Sequence, residues 1–243
     1  MASSAIFLLF SSSFLVLLVL VTSDKPRVLC PTSSCNPNGP SIRLPFRIRG
    51  LQDECCSYPG FEISCDNQGQ AILHLPHSGD LVVRSIGYAD QLISLGDPDG
   101  CLPKRLLATR SFSSDLASAS SPFLAAAYEN FTLANCTWNL PTDLPGTLIT
   151  CVDCLDGAGH MAVVASTDDL LARWLFSDHR CYTWTVLVPE TVSFRENITE
   201  GVWLKWDRPD CRSCEAMGGR CGLKSDNGSS VVKCAHYQGM LPM

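Results

Sequence analysis

Fourteen cysteines in a chain of 243 residues constrain the fold more than any other feature. Three of them crowd residues 211–222, where Cys211 and Cys214 have a C-x-x-C spacing that zinc sites and redox centres also use. The count is even, as a fully bridged set requires. The cysteines are Cys30, Cys35, Cys55, Cys56, Cys65, Cys101, Cys136, Cys151, Cys154, Cys181, Cys211, Cys214, Cys221 and Cys234.

The N-terminal segment decides which chemistry these cysteines are expected to have. Residues Ile6 to Val21 are almost wholly apolar, apart from three serines at 11–13, and small residues follow up to Ser23. This pattern is typical of a secretory signal peptide over residues 1–23. A membrane span needs roughly 20 apolar residues, more than this interrupted run provides. We therefore expect a secreted, extracellular protein.

Potential glycosylation sites point to the same compartment. N-x-S/T sequons occur at Asn130, Asn135, Asn197 and Asn227, and they are useful only in a chain that enters the secretory pathway. Because that pathway is oxidising, we predict that all fourteen cysteines form disulfides and that the chain holds no metal and no cofactor. The two C-x-x-C pairs are Cys151 with Cys154 and Cys211 with Cys214. Neither is expected to start a helix after a βαβ unit, which argues against a redox centre. The sequence leaves the disulfide connectivity open.

Short alternating segments predict a mainly β, small α+β fold. Ile42 to Ile48 alternate apolar residues with Arg43, Pro45 and Arg47, which predicts a strand with one solvated, arginine-bearing face. Pro45 lacks an amide donor and therefore places this strand at a sheet edge. Further strands are predicted at 61–65, 71–75, 81–88 and 91–95, separated by Gly and Pro clusters. We expect one cystine-rich module of short antiparallel strands over residues 24–107.

The second half predicts a separate cystine-rich module over residues 130–234. A Ser/Ala-rich surface linker is expected at 108–129 and a tail at 235–243. Ser166 to Asp169 resemble a helix start, followed by an apolar stripe of Leu170, Leu171, Trp174 and Leu175. Strands are predicted at 181–188 and 202–207. The second module therefore consists of short strands with one short helix.

Several motifs together resemble a plant receptor family. The segments LPFRIRG (44–50), CSYPGFEISC (56–65), ILHLPHSGDLVVRSIGY (72–88) and DPDGCLPKRLL (97–107) resemble the galacturonan-binding module of wall-associated receptor kinases. The segment 206–225 resembles the cysteine-rich module that follows it. The resemblance is closest to the ectodomains of plant RING-H2 finger ubiquitin ligases and next to leaf-rust-type receptor-like kinases. It implies a β-rich, disulfide-stapled region that lies in the extracellular cell wall and binds pectic polysaccharide.

This sequence departs from the family pattern in three ways. It ends nine residues after Cys234, where the family continues into a membrane helix, and it shows neither RING nor kinase signatures. It also has a doubled Cys55-Cys56, for which Cys151 is a possible compensating partner. We therefore expect a truncated relative that is membrane-anchored only in longer isoforms. Homology to the full-length relatives could also lead to a ubiquitin-ligase label.

Charge distribution favours an acidic polysaccharide as the ligand. The chain has a formal net charge of −6, which argues against nucleic-acid binding. Residues 24–50, however, contain five cations (Lys25, Arg27, Arg43, Arg47, Arg49) and one acid (Asp24), a net of +4. Guanidinium groups suit uronate carboxylates. The predicted ligand-binding residues are Arg43, Arg47, Arg49, Arg84, Lys104, Arg105, Tyr58 and Tyr88, with Phe61 as a further aromatic candidate. For the arginines, a solvated strand face is an equally good interpretation.

No catalytic residues are predicted. The five histidines form no metal-protease arrangement, and no G-x-S-x-G elbow is present. Asp97, Asp99, Asp168 and Asp169 could supply a glycosidase carboxylate pair, but acids in a D-P-D-G segment usually shape a turn. The alternative function is an ectodomain that binds a peptide, another protein or a membrane co-receptor.

Overall fold

The computed structural model describes residues 30–108, 115–116, 118, 121–125, 127–137, 141, 149–178, 181–189, 201–226 and 229–235. Strands dominate these ranges, which confirms the mainly β, disulfide-rich fold class. The strands are β1 (Arg47–Ile48), β2 (Glu62–Cys65), β3 (Ala71–Leu75), β4 (Gly79–Gly87), β5 (Leu92–Gly96), β6 (Phe123–Leu124), β7 (Tyr128–Thr137), β8 (Thr150–Cys151), β9 (His160–Ser166), β10 (Tyr182–Pro189), β11 (Val202–Trp206), β12 (Arg220–Asp226) and β13 (Ser229–Ala235). The α-helices are α1 (Leu102–Ala108), α2 (Leu170–Asp178) and α3 (Arg212–Ala216), with 3₁₀ turns at Glu54–Cys56 and Asp153–Leu155.

The larger sheet has seven strands in the order β1-β2-β3-β4-β5-β11-β6. Its first pair is parallel, with Arg47 opposite Glu62, and the other described pairs are antiparallel. Four aromatic side chains in its core are at most 1% exposed, namely Phe46, Phe61, Phe123 and Trp206. Phe46 packs edge-on against Phe61 and Trp206, with ring centroids 5.0 and 5.2 Å apart. Such edge-to-face pairs stabilise a core beyond simple area burial.

A second sheet has four strands in the order β10-β7-β9-β8. One face contributes Phe131, Leu133 and Val188 to the same core as the larger sheet. The opposite face carries α2 over a smaller cluster: Ala134, Cys136, Val163, Ala165, Ala172, Leu175 and Phe176. The alternation of β7 between these two clusters explains why both of its faces are apolar. A disulfide between Cys136 and Cys181 joins β7 to the start of β10.

Most of the predicted strands are confirmed. The predictions at 61–65, 71–75, 81–88 and 91–95 correspond to β2, β3, β4 and β5, and those at 181–188 and 202–207 to β10 and β11. The strand predicted over Ile42 to Ile48 is only partly correct. Its apolar residues are buried and β1 lies at the sheet edge, but a turn in which the Phe46 amide donates to the Arg43 carbonyl interrupts it. Arg43 and Arg47 therefore do not extend along one straight strand.

The helices differ from the prediction. Helix α2 begins where expected, and the Asp169 carboxylate accepts hydrogen bonds from the amides of Leu171 and Ala172. The predicted apolar stripe is correct only for Leu175, because Leu170, Leu171 and Trp174 are exposed, at 76%, 40% and 60%. Its buried face consists of Ala172, Leu175 and Phe176. Helices α1 and α3 were not predicted, because each is too short to show a 3.6-residue period.

The predicted linker contributes to the protein interior. Phe123, in β6, is 1% exposed and packs against Phe61, with ring centroids 5.2 Å apart. Leu116 and Asp115 are also buried, and the Asp115 carboxylate accepts hydrogen bonds from the amides of His77 and Ser78. The described part of residues 108–129 is thus not a surface linker. These segments are buried because their few large side chains complete a core formed by other strands.

The two predicted modules share one sheet. β11, from the second half of the chain, pairs with β5 from the first, with Val202 opposite Leu95. The Cys101–Cys154 disulfide also crosses between the two halves. Gly201 makes the close approach possible: a side chain there would meet the Leu95 carbonyl oxygen at 2.2 Å, and its φ is +126°. The described residues therefore place the two modules in continuous contact.

Twelve of the fourteen cysteines form six disulfides. The bridges join Cys30 to Cys56, Cys35 to Cys65, Cys101 to Cys154, Cys136 to Cys181, Cys211 to Cys221 and Cys214 to Cys234. The CRSCEAMGGRCG stretch thus closes disulfide loops around α3. The structure contradicts a fully bridged set, because Cys55 and Cys151 are exposed free thiols. Cys55 lies in a 3₁₀ turn and Cys151 in a short edge strand, and both side chains point outward. The suggested compensating disulfide between Cys151 and the doubled Cys55-Cys56 is not formed.

Several predictions lie outside the described residues. The signal peptide at 1–23, the sequons at Asn197 and Asn227, and residues 236–243 of the tail predicted at 235–243 belong to this group. Within the described ranges, no helix has the length and hydrophobicity needed to cross a bilayer.

Candidate ligand-binding pocket

Three of the predicted ligand-binding residues, Arg43, Arg84 and Tyr88, line one surface pocket. The pocket has a volume of about 400 Å³ and lies between the segment 38–43 and the outward part of β4. Its lining residues are Asn38, Gly39, Pro40, Ser41, Arg43, Arg84, Ser85, Ile86 and Tyr88. This set, which we call the Arg84 pocket, contains two cations and no acid.

Tyr88 holds the wall of the pocket in place. Its hydroxyl accepts a hydrogen bond from the Arg43 amide at 3.0 Å and donates to the Ser41 carbonyl at 2.9 Å. The Arg43 guanidinium carbon lies 3.7 Å from the centre of the Tyr88 ring, a cation–π contact. Burial raises the pKa of Tyr88 to about 12, and the Glu215 charge adds to this effect against the opposing influence of Arg43. The phenol is therefore neutral at physiological pH.

The Arg43 guanidinium is also paired with an acid from the other end of the chain. It donates two hydrogen bonds to the Glu215 carboxylate of α3, at 2.5 and 2.7 Å. The Glu215 side chain is only 6% exposed and that of Arg43 18%. A forked pair of this kind fixes geometry as well as charge. Arg43 thus connects the pocket to the cystine-bridged α3 region.

Arg47 and Arg49 lie outside the Arg84 pocket and share the Glu62 carboxylate. Arg47 is buried and pairs with one carboxylate oxygen, while the exposed Arg49 pairs with the other at 2.8 Å. Hydrogen bonds from Arg49 and then Arg47 lower the pKa of Glu62 below its ordinary value. Arg43, Arg47 and Arg49 are thus paired with two acids, Glu215 and Glu62. Acids elsewhere in the chain therefore offset two of the four net positive charges of residues 24–50.

A β-bulge directs Arg84 into the pocket. Val83 pairs with Leu95 and Ser85 with Ser94, so Arg84 is the extra residue on β4. Such bulges re-aim a side chain relative to the regular pleat. The guanidinium lies against Gly96 of β5, where a side-chain carbon would come within 2.2 Å of the Arg84 Nε atom. Glycine at position 96 is therefore required for this placement of an exposed arginine.

The remaining predicted residues are not brought to this pocket. Lys104 is exposed on α1, and Arg105 on the same helix pairs with Asp97 at 2.5 Å and donates to the Ser78 carbonyl at 2.8 Å. Tyr58 is half-buried and packs edge-on against Phe61, with ring centroids 6.2 Å apart. Phe61 is fully buried. The contacts of Arg105, Tyr58 and Phe61 are those of structural residues.

Two of the four carboxylates considered for catalysis, Asp97 and Asp169, accept hydrogen bonds from backbone amides. Asp97 accepts hydrogen bonds from the amides of Asp99 and Cys101 and so shapes the turn before α1, and Asp169 caps α2. Among the described residues, no His, Cys, Asp and Glu side chains form a group of three or more that could hold a metal ion.

Sequence reasoning missed the two acids, Glu62 and Glu215, and the bulge at Arg84. Glu215 lies 172 residues from Arg43, so no local pattern could connect them. The bulge requires two strands to be aligned before the extra residue is visible. The one sequence signal for the bulge is the presence of Gly96 in the strand that follows Arg84, because glycine leaves room for the arginine side chain.

Comparison with known proteins identifies the part of the chain that forms this pocket. Residues 30–97 match the wall-associated receptor kinase galacturonan-binding family. The chain contains this domain. The galacturonan-binding domain includes every residue that lines the Arg84 pocket. It is of an ectodomain type and not a catalytic one.

The relatives are RING-H2 finger proteins and receptor-like kinases. RING-H2 finger protein ATL21A of Arabidopsis thaliana is 32% identical over 86% of this chain and 55% of its own length. ATL22 of the same species is 30% identical over 96% of this chain and 60% of its own length. The rust resistance kinase Lr10 of Triticum aestivum is 24% identical over 81% of this chain and 36% of its own length. The chain thus spans little more than half of its RING-H2 relatives. No solved structure matches it.

Proposed function

We propose that this chain is a secreted, extracellular module that binds acidic cell-wall polysaccharide of the pectin or galacturonan class in the Arg84 pocket. The main observation behind this proposal is that an exposed arginine, directed by a β-bulge, lines an acid-free pocket in the galacturonan-binding domain. The six disulfides and the predicted signal peptide support an extracellular location.

The chemistry of the pocket fits a uronate. Each galacturonate residue carries one carboxylate, and the planar guanidinium of Arg84 can donate two parallel hydrogen bonds to it. Arg43 is already forked onto Glu215, so its role is to hold Tyr88 and the pocket wall. The polar lining residues Asn38, Ser41 and Ser85 can bond sugar hydroxyls. The exposed Arg84 side chain is the cation that we assign to recognition of the uronate carboxylate.

Binding to immobilised demethylated polygalacturonate tests this function. We expect the full chain, secreted from a eukaryotic host, to bind it and to lose affinity as salt is added, because exposed charges are screened. Arg84→Gln should weaken binding roughly tenfold to a hundredfold, since a charge-assisted hydrogen bond contributes about 1.5–3 kcal/mol. Arg173→Gln is the matched control and should bind like the wild type. Arg173 is an exposed arginine of α2, the helix that packs on the four-stranded sheet.

Two further comparisons make the test decisive. Fully methyl-esterified pectin lacks the carboxylates and should bind weakly to every variant. The sequence-based prediction for Arg49 is tested in parallel with Arg49→Gln, which leaves the Arg84 pocket intact. Equal binding of wild type and Arg84→Gln, or equal binding of esterified and demethylated polymer, would refute the proposed site. Binding of a peptide or protein but no acidic glycan would favour the alternative function.

A further inference from the structure

Strand β7 presents a sequon next to exposed apolar side chains. The segment Tyr128-Glu129-Asn130-Phe131-Thr132 lies entirely in β7. Because side chains alternate along a strand, Tyr128, Asn130 and Thr132 share one face and Phe131 points to the other, where it is buried in the main core. Asn130 is exposed and Tyr128 is 41% exposed.

The neighbouring strand extends this apolar surface. Leu187 of β10 lies directly opposite Asn130 in the ladder and is 42% exposed, and Pro189 lies opposite Tyr128. Directly opposed side chains have β-carbons about 4.5–5.5 Å apart. The Tyr128 Cα, two residues away along the strand, lies about 7 Å from the Asn130 Cα. Asn130 thus shares one face of the sheet with an exposed tyrosine on its own strand and an exposed leucine on the neighbouring strand.

We propose that Asn130 carries an N-linked glycan whose first N-acetylglucosamine covers Tyr128 and Leu187. In the modification step, the Asn130 amide nitrogen attacks the anomeric carbon of an oligosaccharide carried on a polyprenyl diphosphate. A carbon–nitrogen bond forms, the carbon–oxygen bond to the diphosphate breaks, the amide loses one proton and the lipid diphosphate leaves. The host oligosaccharyltransferase supplies the sugar donor, and no oxidant or reductant is needed.

The first sugar suits this surface because one face of its ring presents only C–H groups. That face can lie flat on the Tyr128 ring and remove apolar area from water, while its hydroxyl groups remain solvated. Thr132, the hydroxyl residue of the sequon, is 8% exposed in the folded protein and its Oγ1 lies 3.1 Å from the Thr167 Oγ1. Transfer therefore takes place on the nascent chain, before β7 packs into its sheet.

The second sequon on β7 provides an internal control. Asn135 lies five positions further along, on the opposite face of the strand, where its Oδ1 atom is buried. Thr137 of that sequon is exposed, so Thr137→Ala abolishes the Asn135 sequon with little structural change. Asn130→Gln is the corresponding test variant, because replacing the buried Thr132 would disturb packing.

The experiment combines glycopeptide mass spectrometry with side-chain footprinting of the full secreted chain. We expect a glycan on Asn130 in the wild type. In Asn130→Gln, covalent labelling of Tyr128 should rise roughly twofold, because a sugar of this size covers about half of the exposed ring. Labelling of Tyr128 should not change in Thr137→Ala. An unmodified Asn130 in bridged, secreted protein, or unchanged Tyr128 labelling in Asn130→Gln, would overturn the proposal.

The inference rests only on the extracellular part of the proposed function and not on polysaccharide binding. Alkylation of free thiols in the same sample separates the two. An unmodified Asn130 together with intact disulfides contradicts the glycan proposal alone. An unmodified Asn130 together with reduced cysteines contradicts the extracellular location as well. Neither result depends on the Arg84 pocket.

Discussion

The two larger sheets of this protein are stabilised in different ways. The seven-stranded sheet buries four aromatic rings at its centre, and Trp206 and Phe46 are at most 1% exposed. On its helical side, the four-stranded sheet has only a small cluster of mostly small side chains, closed by the Cys136–Cys181 disulfide. Tyr182 and Trp184 of its strand β10 are exposed, and so is Trp174 of α2, which packs on this sheet. The comparison indicates that apolar burial stabilises the first sheet, whereas covalent closure has a larger share in the second.

Truncating one tryptophan in each sheet should give the largest contrast. Trp206→Ala removes a buried ring that contacts Phe46 and Phe61, and we expect it to lower the free energy of unfolding by about 3–5 kcal/mol. Trp184→Ala, at a 46% exposed position on β10, should change it by at most about 0.5 kcal/mol. Denaturant unfolding followed by far-UV circular dichroism provides the measurement. Similar losses for both variants would contradict the comparison.

Removing one disulfide from each sheet tests the second half of the comparison. The Cys136→Ala/Cys181→Ala variant should lose about 2–4 kcal/mol of stability, and amide protection should fall throughout β7, β9 and β10. The control variant Cys35→Ala/Cys65→Ala removes a bridge of the seven-stranded sheet. In that control, β3, β4 and β5 should retain their protection because their aromatic core is intact. Hydrogen exchange with mass spectrometry resolves the two patterns.

The ion pairs made by Arg43 and Arg49 should contribute different amounts to the free energy of unfolding, according to how deeply each pair is buried. Arg43→Ala leaves the 6% exposed Glu215 carboxylate without its partner, and we expect a loss of about 2–3 kcal/mol. Arg49→Ala affects a side chain that is 70% exposed, and its effect should stay below about 1 kcal/mol. A double-mutant cycle with Glu215→Gln isolates the first coupling energy. A coupling near zero would show that the pair does not connect the pocket to α3.

The smallest expected effect is the loss of the stability that the Glu62 ion pairs contribute, as the pH becomes acidic. The pKa of Glu62 is lowered in the folded protein, chiefly by the hydrogen bond from Arg49 and then by that from Arg47. A lowered pKa contributes stability above the unfolded-state value of the carboxyl, and this contribution disappears as pH falls through the folded-state value. Because the Glu62 side chain is 37% exposed, the contribution should be below about 1 kcal/mol. Unfolding of wild type and Glu62→Gln should therefore converge below about pH 4, and a constant difference would contradict this assignment.

Local patterns in the sequence predicted most of the strands. Alternating apolar residues located β2 to β5, β10 and β11, because a strand with one buried face records its pleat in the order of residues. The same patterns failed for α2, where the stripe predicted from Leu170 and Trp174 is exposed. The orientation of a short helix depends on the sheet it packs against, and the sequence of the helix contains no information about that sheet.

The candidate site was predicted only in part, for a similar reason. Charge and aromatic chemistry pointed to Arg43, Arg84 and Tyr88, which line one pocket, and also to Arg105, which bonds to Asp97 and Ser78. Sequence analysis cannot distinguish an arginine that forms a buried ion pair from one whose side chain is exposed at the pocket. That distinction depends on acids that are distant in sequence, as Glu215 is from Arg43.

The sequence by itself determined that this chain is a disulfide-stapled, mainly β protein with a galacturonan-binding domain, because cysteine content, strand periodicity and family motifs are properties of residue order. Only the tertiary structure decided that β11 joins the first module's sheet, that Phe123 completes its core and that a bulge aims Arg84 into the pocket. It also decided that Glu62 and Glu215 neutralise neighbouring arginines. These features arise from contacts between residues far apart in the chain, which form only when the strands are assembled.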